Sequence, residues 1–171
     1  MILIAIGANL GGPDGRSPIE TCRWSVSMMD LLPGLQLRGL SGWYETAPIP
    51  VSSQPAYINA VAHFVVEPSC QIDPTVLLAG LMAIEARAGR PSAVDGRRSP
   101  NAARTLDLDI IDFDGVVRAA PDPILPHPRA HLRAFVLAPL AAVAPAWVHP
   151  VLGRTAGALL ADLPPQQIRR L

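Results

Sequence analysis

The sequence predicts an α+β domain, an antiparallel sheet with helices packed on it, on three observations. Strand-like and helix-like stretches follow one another as strand, helix, strand, strand, helix, strand. Half of the 171 residues are apolar and only 16% are charged, enough to bury a core without staples. No internal repeat and no Pro-, Gly- or Ser-rich linker divides the chain, so residues 1–171 are expected to form a single domain.

Met1–Gly7 reads as a buried strand ending in the turn Gly7-Ala8-Asn9-Leu10-Gly11-Gly12. A helix is expected from about Ser17 to Leu32, closed by Pro33-Gly34. Leu35–Thr46 and Tyr57–Glu67 read as two strands separated by a Pro- and Ser-rich loop. Asp73-Pro74 starts the next helix, with Asp as the cap and Pro at the first position. Val76, Leu77, Leu81 and Ile84 form its apolar stripe, and Gly89 ends it. Arg90–Ala103 is rich in arginine and has no periodicity, which predicts an exposed, mobile loop. Thr105–Phe113 returns to strand, and Gly115 turns the chain toward a short partner, Val116–Arg118. From Pro126 onward, apolar helical segments alternate with prolines. This order is the ferredoxin-like plan, three-layer-like with mobile loops. The plan hosts many unrelated functions, so function has to be argued from side chains.

Fourteen basic residues balance fourteen acidic ones, which argues against nucleic-acid and membrane-surface binding. Every basic residue is Arg, so phosphate ligation must come from guanidinium forks, His or backbone N–H groups. Cys22 and Cys70 are too few for a disulfide framework, lack CxxC spacing, and are expected to be reduced and buried. The opening apolar run has no basic stretch before it and no cleavage signature after it, so it reads as strand and not as a signal peptide. The longest uncharged stretch, Ala134–Val148, is broken by Pro139 and Pro145 and falls short of the ~18 residues of a membrane span. A soluble, cytoplasmic monomer is expected.

The most informative local feature is Thr105-Leu106-Asp107-Leu108-Asp109-Ile110. Strand alternation puts Leu106, Leu108 and Ile110 on one face and Asp107 and Asp109 on the other. Two residues of rise separate the acids' backbones by about 6.6 Å, so their side chains can converge on a pair of metals about 3.5–4 Å apart. Hard oxygen donors on an open strand face suit Mg²⁺, which takes its other ligands from water and substrate phosphates. A bare D-x-D is more often a solvated acidic face. Two facts weigh the other way: Asp opposes strand propensity, and Arg104 and the Arg-rich loop stand directly before the pair.

Three further clusters carry chemistry. Arg129 and Arg133, four apart after Pro126-His127-Pro128, would share a helical face and could grip phosphates together, although a basic pair is commonly just solvated. His127, pinned between prolines, is suited to presenting a ligand contact or to a structural turn. Tyr57 and Asn59 lie on one side of a strand, an aromatic beside an amide that suits a flat heterocycle, while a strand Tyr alone is more often ordinary packing. Glu85 projects from a helix with an apolar opposite face, where solvation is the default. The Gly7–Gly12 turn matches neither standard nucleotide-binding glycine motif.

In order along nearly the whole chain, these segments resemble the 6-hydroxymethyl-7,8-dihydropterin pyrophosphokinase family. The resemblance rests on Ile4-Ala5-Ile6-Gly7-Ala8-Asn9-Leu10-Gly11, Tyr44-Glu45-Thr46-Ala47-Pro48 and Gln54-Pro55-Ala56-Tyr57-Ile58-Asn59-Ala60-Val61. It continues through Ile84-Glu85, Gly89-Arg90, Arg104-Thr105-Leu106-Asp107-Leu108-Asp109-Ile110, Pro126-His127-Pro128-Arg129 and Arg133-Ala134-Phe135-Val136-Leu137. It implies an ATP-dependent diphosphotransferase of folate synthesis that moves pyrophosphate from MgATP to the pterin hydroxymethyl group and releases AMP. Asp107 and Asp109 are then the ligands of two Mg²⁺ ions. Thr46, Pro48, Tyr57, Asn59 and Phe135 form the pterin pocket, stacked between Tyr57 and Phe135. Glu85, Arg104, Ile110, His127 and Arg133 contact ATP or position the reacting groups, and Arg90, Arg104, Asp107 and Asp109 are the catalytic set. Asp109 is also a hypothetical acceptor of the hydroxyl proton.

Departures from the family pattern accompany the match. Asn101-Ala102-Ala103-Arg104 stands where a Trp-containing segment is usual, the loop from Arg90 is longer, Ala8 replaces Ser, and Pro50 stands where Gly is frequent. They predict a working enzyme with altered lid kinetics. The rivals are another metal-dependent nucleotide transferase, which would not need Tyr57, Asn59 and Phe135, and a catalytically impaired relative or regulatory module, which would not need both acids.

Overall fold

Strand β1 (Ile2–Ala8) forms the centre of the sheet. In this computed structural model, which describes residues 1–48, 52–90 and 103–171, β1 is paired on both sides and almost wholly buried. Helix α1 (Pro18–Asp30) follows and starts on a capping box in which Ser17 and Glu20 satisfy each other's backbone N–H groups. The expected strand Leu35–Thr46 is two strands, β2 (Leu35–Leu40) and β3 (Tyr44–Thr46), interrupted at Ser41-Gly42-Trp43. Both pair with the long β4 (Tyr57–Val66). Helix α2 (Pro74–Arg87) has Asp73 as cap, accepting from Thr75 N–H at 2.7 Å. Then come β5 (Asp107–Phe113), α3 (Ala134–Val143), α4 (Ala156–Asp162) and β6 (Ile168–Arg170). The antiparallel sheet has the order β5-β1-β4-β3-β6, with β2 also on β4.

The two faces of the sheet are covered differently. Ile2, Ile4, Ile6, Phe64, Leu108 and Ile110 face α1 and α2 and make the larger core. Leu3, Val61 and Ile111 face the other way, onto Val136, Leu137 and Leu140 of α3 and Leu159 of α4. The last third of the chain thus supplies a third layer.

Several expectations are corrected. Val76 is 67% exposed and stands off the α2 stripe, whereas Leu77, Leu81 and Ile84 are buried. Val116–Arg118 forms no strand. Asp114 and Gly115 (φ 50° and 70°) turn the chain tightly, and Arg118 bridges only to Leu125. Cys22 is buried and its thiol is pushed up to about 12 by desolvation, but Cys70 is only partly buried; both are free. The loop expected to be mobile, and Pro50, lie outside the described residues apart from Arg90 and Ala103. Among the described residues, no helix is long and apolar enough to cross a membrane.

Candidate active site

Along each central strand, the face covered by α3 and α4 changes character. β1 runs from Leu3 in the core to Ala5 and Gly7; β4 runs from Val61 back to Asn59 and Tyr57; β5 runs from Ile111 back to Asp109 and Asp107. Where the helices end, that face opens into a cavity of about 580 Å³, a size suited to small-molecule substrates. Strand pairing sets Asp107 opposite Gly7 and Gly7 opposite Asn59, and sets Asp109 opposite Ala5. A Cβ on Gly7 would stand 3.3 Å from Asn59 Oδ1, so the absence of a side chain leaves room for the amide between the acids and β4.

One end of the cavity is ionic. Arg90, Arg104, Arg129 and Arg133 line it with Asp107 and Asp109, four positive charges against two negative in a chain of zero net charge. Asp107 is held by both flanking guanidinium groups: Arg104 Nη1 donates to Oδ2, and Arg90 Nη1 to Oδ1 at 2.8 Å. The Asp109 carboxyl is raised above the ordinary range by burial and then by the neighbouring Asp107 charge. His127 Nε2 stands 3.8 Å from Asp109 Oδ2, and burial holds the imidazole below its usual value. Burial, and then Arg129, also lowers Arg133. An anion that brought countercharge to this end would relieve the excess of guanidinium groups.

The other end is flat and neutral. Tyr57 and Phe135 line it with Thr46, Ala47, Pro48 and Asn59. Asn59 Nδ2 donates to Thr46 Oγ1 at 2.8 Å, which fixes the amide plane. The Tyr57 hydroxyl donates to Gln54 Oε1 at 3.2 Å.

Thr46, Pro48, Tyr57, Asn59, Arg90, Arg104, Asp107, Asp109, Arg133 and Phe135 therefore meet in one cavity. Three expected nucleotide contacts do not line it. Glu85, expected in solvent or on ATP, is 3% exposed: it accepts from Leu108 N–H at 2.8 Å and pairs with Arg90, so it holds the site from behind. The Ile110 side chain is buried in the opposite core, which corrects any side-chain contact with a nucleotide. Leu108 N–H points out of the β5 edge to Glu85, and alternation puts the Ile110 backbone on that same outer edge. His127 lines a shallower neighbouring depression and meets the site at its edge, with Nε2 facing Asp109 and Nδ1 accepting from Arg129 N–H at 3.2 Å. Arg129 and Arg133 share no helical face: they flank the 3₁₀ turn Ala130–Leu132, and the turn brings both to the cavity.

Two contributors escaped sequence reasoning. Buried Asn9 ties three segments together: its Oδ1 accepts from Arg104 N–H at 2.7 Å, and its Nδ2 donates to Gln54 Oε1 and the Pro55 carbonyl, each at 3.2 Å. Its place in a glycine turn was the available signal. Gln166 lines the cavity from the far end of the chain, and no motif marks it.

Two carboxylates on one strand face fit Mg²⁺, which needs few protein ligands when phosphates supply the rest. Among the described residues, no group of three or more His, Cys, Asp or Glu could hold a metal without such help.

Residues 3–145 match the family model of 7,8-dihydro-6-hydroxymethylpterin-pyrophosphokinase. A Pseudomonas aeruginosa 2-amino-4-hydroxy-6-hydroxymethyldihydropteridine pyrophosphokinase is 35% identical over 170 residues, 99% of this chain and 96% of its own. A Synechocystis protein of the same name is 31% identical over 153 residues, covering 90% of this chain and 71% of that one. The folic acid synthesis protein fol1 of Schizosaccharomyces pombe is 30% identical over 97% of this chain, which spans only 21% of fol1. In structure, the wild-type HPPK-DHPS of Plasmodium falciparum superposes with a TM-score of 0.65 at 12% identity, over 94% of this chain and 44% of that one. With the fold, the paired acids and the aromatic–amide pocket in place, the chain belongs to the 7,8-dihydro-6-hydroxymethylpterin-pyrophosphokinase family.

Proposed function

We propose that the cavity binds MgATP at its arginine end and 6-hydroxymethyl-7,8-dihydropterin at its aromatic end, and transfers pyrophosphate from one to the other. The observation that carries this is the row Asp107–Gly7–Asn59, which joins both ends on one sheet face. The pterin hydroxymethyl oxygen forms a bond to the β-phosphorus, the bond from that phosphorus to the α–β bridging oxygen breaks, and AMP leaves. The hydroxyl proton passes to a base, for which Asp109, on the same strand face as Asp107, is the candidate.

Asp107 and Asp109 would hold the magnesium, two ions in this reading, whose chemistry is to neutralise phosphate charge. Arg90 and Arg104 move their hydrogen bonds from Asp107 to phosphate oxygens, and Arg129 and Arg133 close the opposite side. Asn59 and Thr46 read the edge of the pterin while Tyr57 and Phe135 cover its faces. Catalysis then consists of alignment and charge neutralisation. A nucleotide contact of Ile110 is made through its backbone at the β5 edge. The chain acts as a one-domain cytoplasmic monomer, a reading supported by its balanced charge and two free thiols.

The test is incubation with Mg²⁺, ATP and the hydroxymethyl pterin, following AMP and pterin pyrophosphate together. Equal formation of both, reduced at least about 100-fold by Asp107→Ala, is expected. Pterin binding without AMP would identify an impaired relative, and neither binding nor turnover would remove the assignment.

A further inference from the structure

Helix α3 begins with an arginine in the cap position. Arg133 is the N-cap, and its side chain makes no capping hydrogen bond. Arg cannot accept one, so the exposed end of the helix needs its acceptor from elsewhere. It comes from 32 residues downstream: Gln166 Oε1 accepts from Ala134 N–H at 2.9 Å. The same amide donates through Nε2 to the Leu132 carbonyl at 3.1 Å. Gln166 therefore brackets Arg133 by the backbone on either side of it.

The bracket also fixes Phe135, one residue further on, over whose ring the Arg133 guanidinium lies 5.4 Å from the centroid. Strand β6 delivers Gln166 to this place. Its Ile168 pairs with Thr46, which itself lines the cavity, and Tyr44 pairs with Arg170. The tail thus joins the β3 wall to the start of α3. Gln166 lies beyond residues 3–145, the extent of the family match.

We infer that Gln166 is a positioning residue, a helix cap supplied from a distant part of the chain that lets an arginine occupy the cap position of α3 and holds Arg133 and Phe135 in the cavity. The role of these two residues rests on the function proposed above, but the bracket itself does not. An ordinary N-cap Ser or Asp at 133 would satisfy the helix and lose the guanidinium. Gln166 separates the two requirements.

Gln166→Leu keeps the bulk and removes both hydrogen bonds, while Gln166→Glu keeps an acceptor for Ala134. Amide exchange at Ala134 should accelerate about 5- to 30-fold in Gln166→Leu, the factor that corresponds to a lost cap. MgATP affinity by calorimetry and kcat/KM for both substrates should fall by a similar factor, and Gln166→Glu should recover most of the exchange protection. Arg169→Ala, which breaks the exposed pair between β6 and Glu45 of β3, should leave all three readings unchanged. Unaltered Ala134 exchange in Gln166→Leu would overturn the bracket. Faster exchange with unaltered MgATP affinity, or equal losses in Arg169→Ala, would overturn the positioning role. A wild-type protein that makes no AMP would overturn the proposed reaction, and the exchange and affinity readings would still decide this inference.

Discussion

Replacing Glu85 tests whether the site is held from behind by a buried charge. Glu85 is 3% exposed and the Arg90 side chain 11%, so water screens their pairing little. Glu85→Gln keeps an acceptor for Leu108 N–H and removes the charge that anchors Arg90, leaving Asp107 as that guanidinium's remaining anion. A hydrogen bond to a charged group contributes about 1.5–3 kcal/mol. For a chain of this length that is a fall of roughly 3–12 °C in thermal midpoint. Glu85→Ala also strips Leu108 of its partner and should cost about 3–5 kcal/mol, the usual penalty for breaking a buried pair from one side. The assay is denaturant unfolding of both variants, repeated in an Arg90→Met background. In that background the Glu85→Gln loss should shrink by about 0.5–3 kcal/mol, because the charge no longer has its partner. A Glu85→Gln protein within about 0.5 kcal/mol of wild type, with no coupling to Arg90, would refute the reasoning.

Gly89 closes α2 at φ +82°, and a Cβ there would stand 2.8 Å from Pro13 Cδ. Gly89→Ala should cost about 1–2 kcal/mol from the left-handed backbone alone, a drop of roughly 2–8 °C that calorimetry would read; an unchanged midpoint would exclude the strain. His149 is buried, and its Nδ1 accepts from Val151 and Leu152 N–H at 3.2 and 3.3 Å, so only the neutral ring fits. Burial, and then His131, lowers its pKa, so the stability it contributes is present above the unfolded value of about 6.5 and is lost as pH falls through the folded value. The thermal midpoint should fall on going from pH 7.5 to 5.5, and His149→Asn, which keeps an acceptor but cannot protonate, should flatten that slope; equal slopes would count against it.

How legible each part was in the sequence follows from the range of the interactions behind it. The paired acids and the Tyr57–Asn59 face were legible because strand alternation is local, and the cap at Asp73 because capping spans a few residues. Burial of Glu85 was not legible, because the Leu108 N–H it accepts from reaches it only once β5 lies beside α2. The same holds for Gln166, whose amide acts across 32 residues. The split of β2 from β3 hid for a different reason. Ser41-Gly42 looks like strand punctuation of little weight, yet Ser41 Oγ takes the Val61 N–H in the structure and displaces the ladder. Arg129 and Arg133 both reach the cavity although the helix assumed between them is a 3₁₀ turn, because they flank that turn and do not need a shared face.

Because Asp107, Gly7 and Asn59 occupy one row across three adjacent strands, the sheet acts as a ruler between the two ends of the cavity. Neighbouring strands lie about 4.8 Å apart, which sets the backbones of Asp107 and Asn59 about 9–10 Å from each other. That span cannot be tuned gradually, since a one-residue slip of β5 would turn both acids into the core and a two-residue slip would move them by a whole repeat. A rigid two-headed ligand, with an anionic head and a flat amide-reading head at that fixed separation, would therefore keep its fit through loop changes that leave the strand register intact.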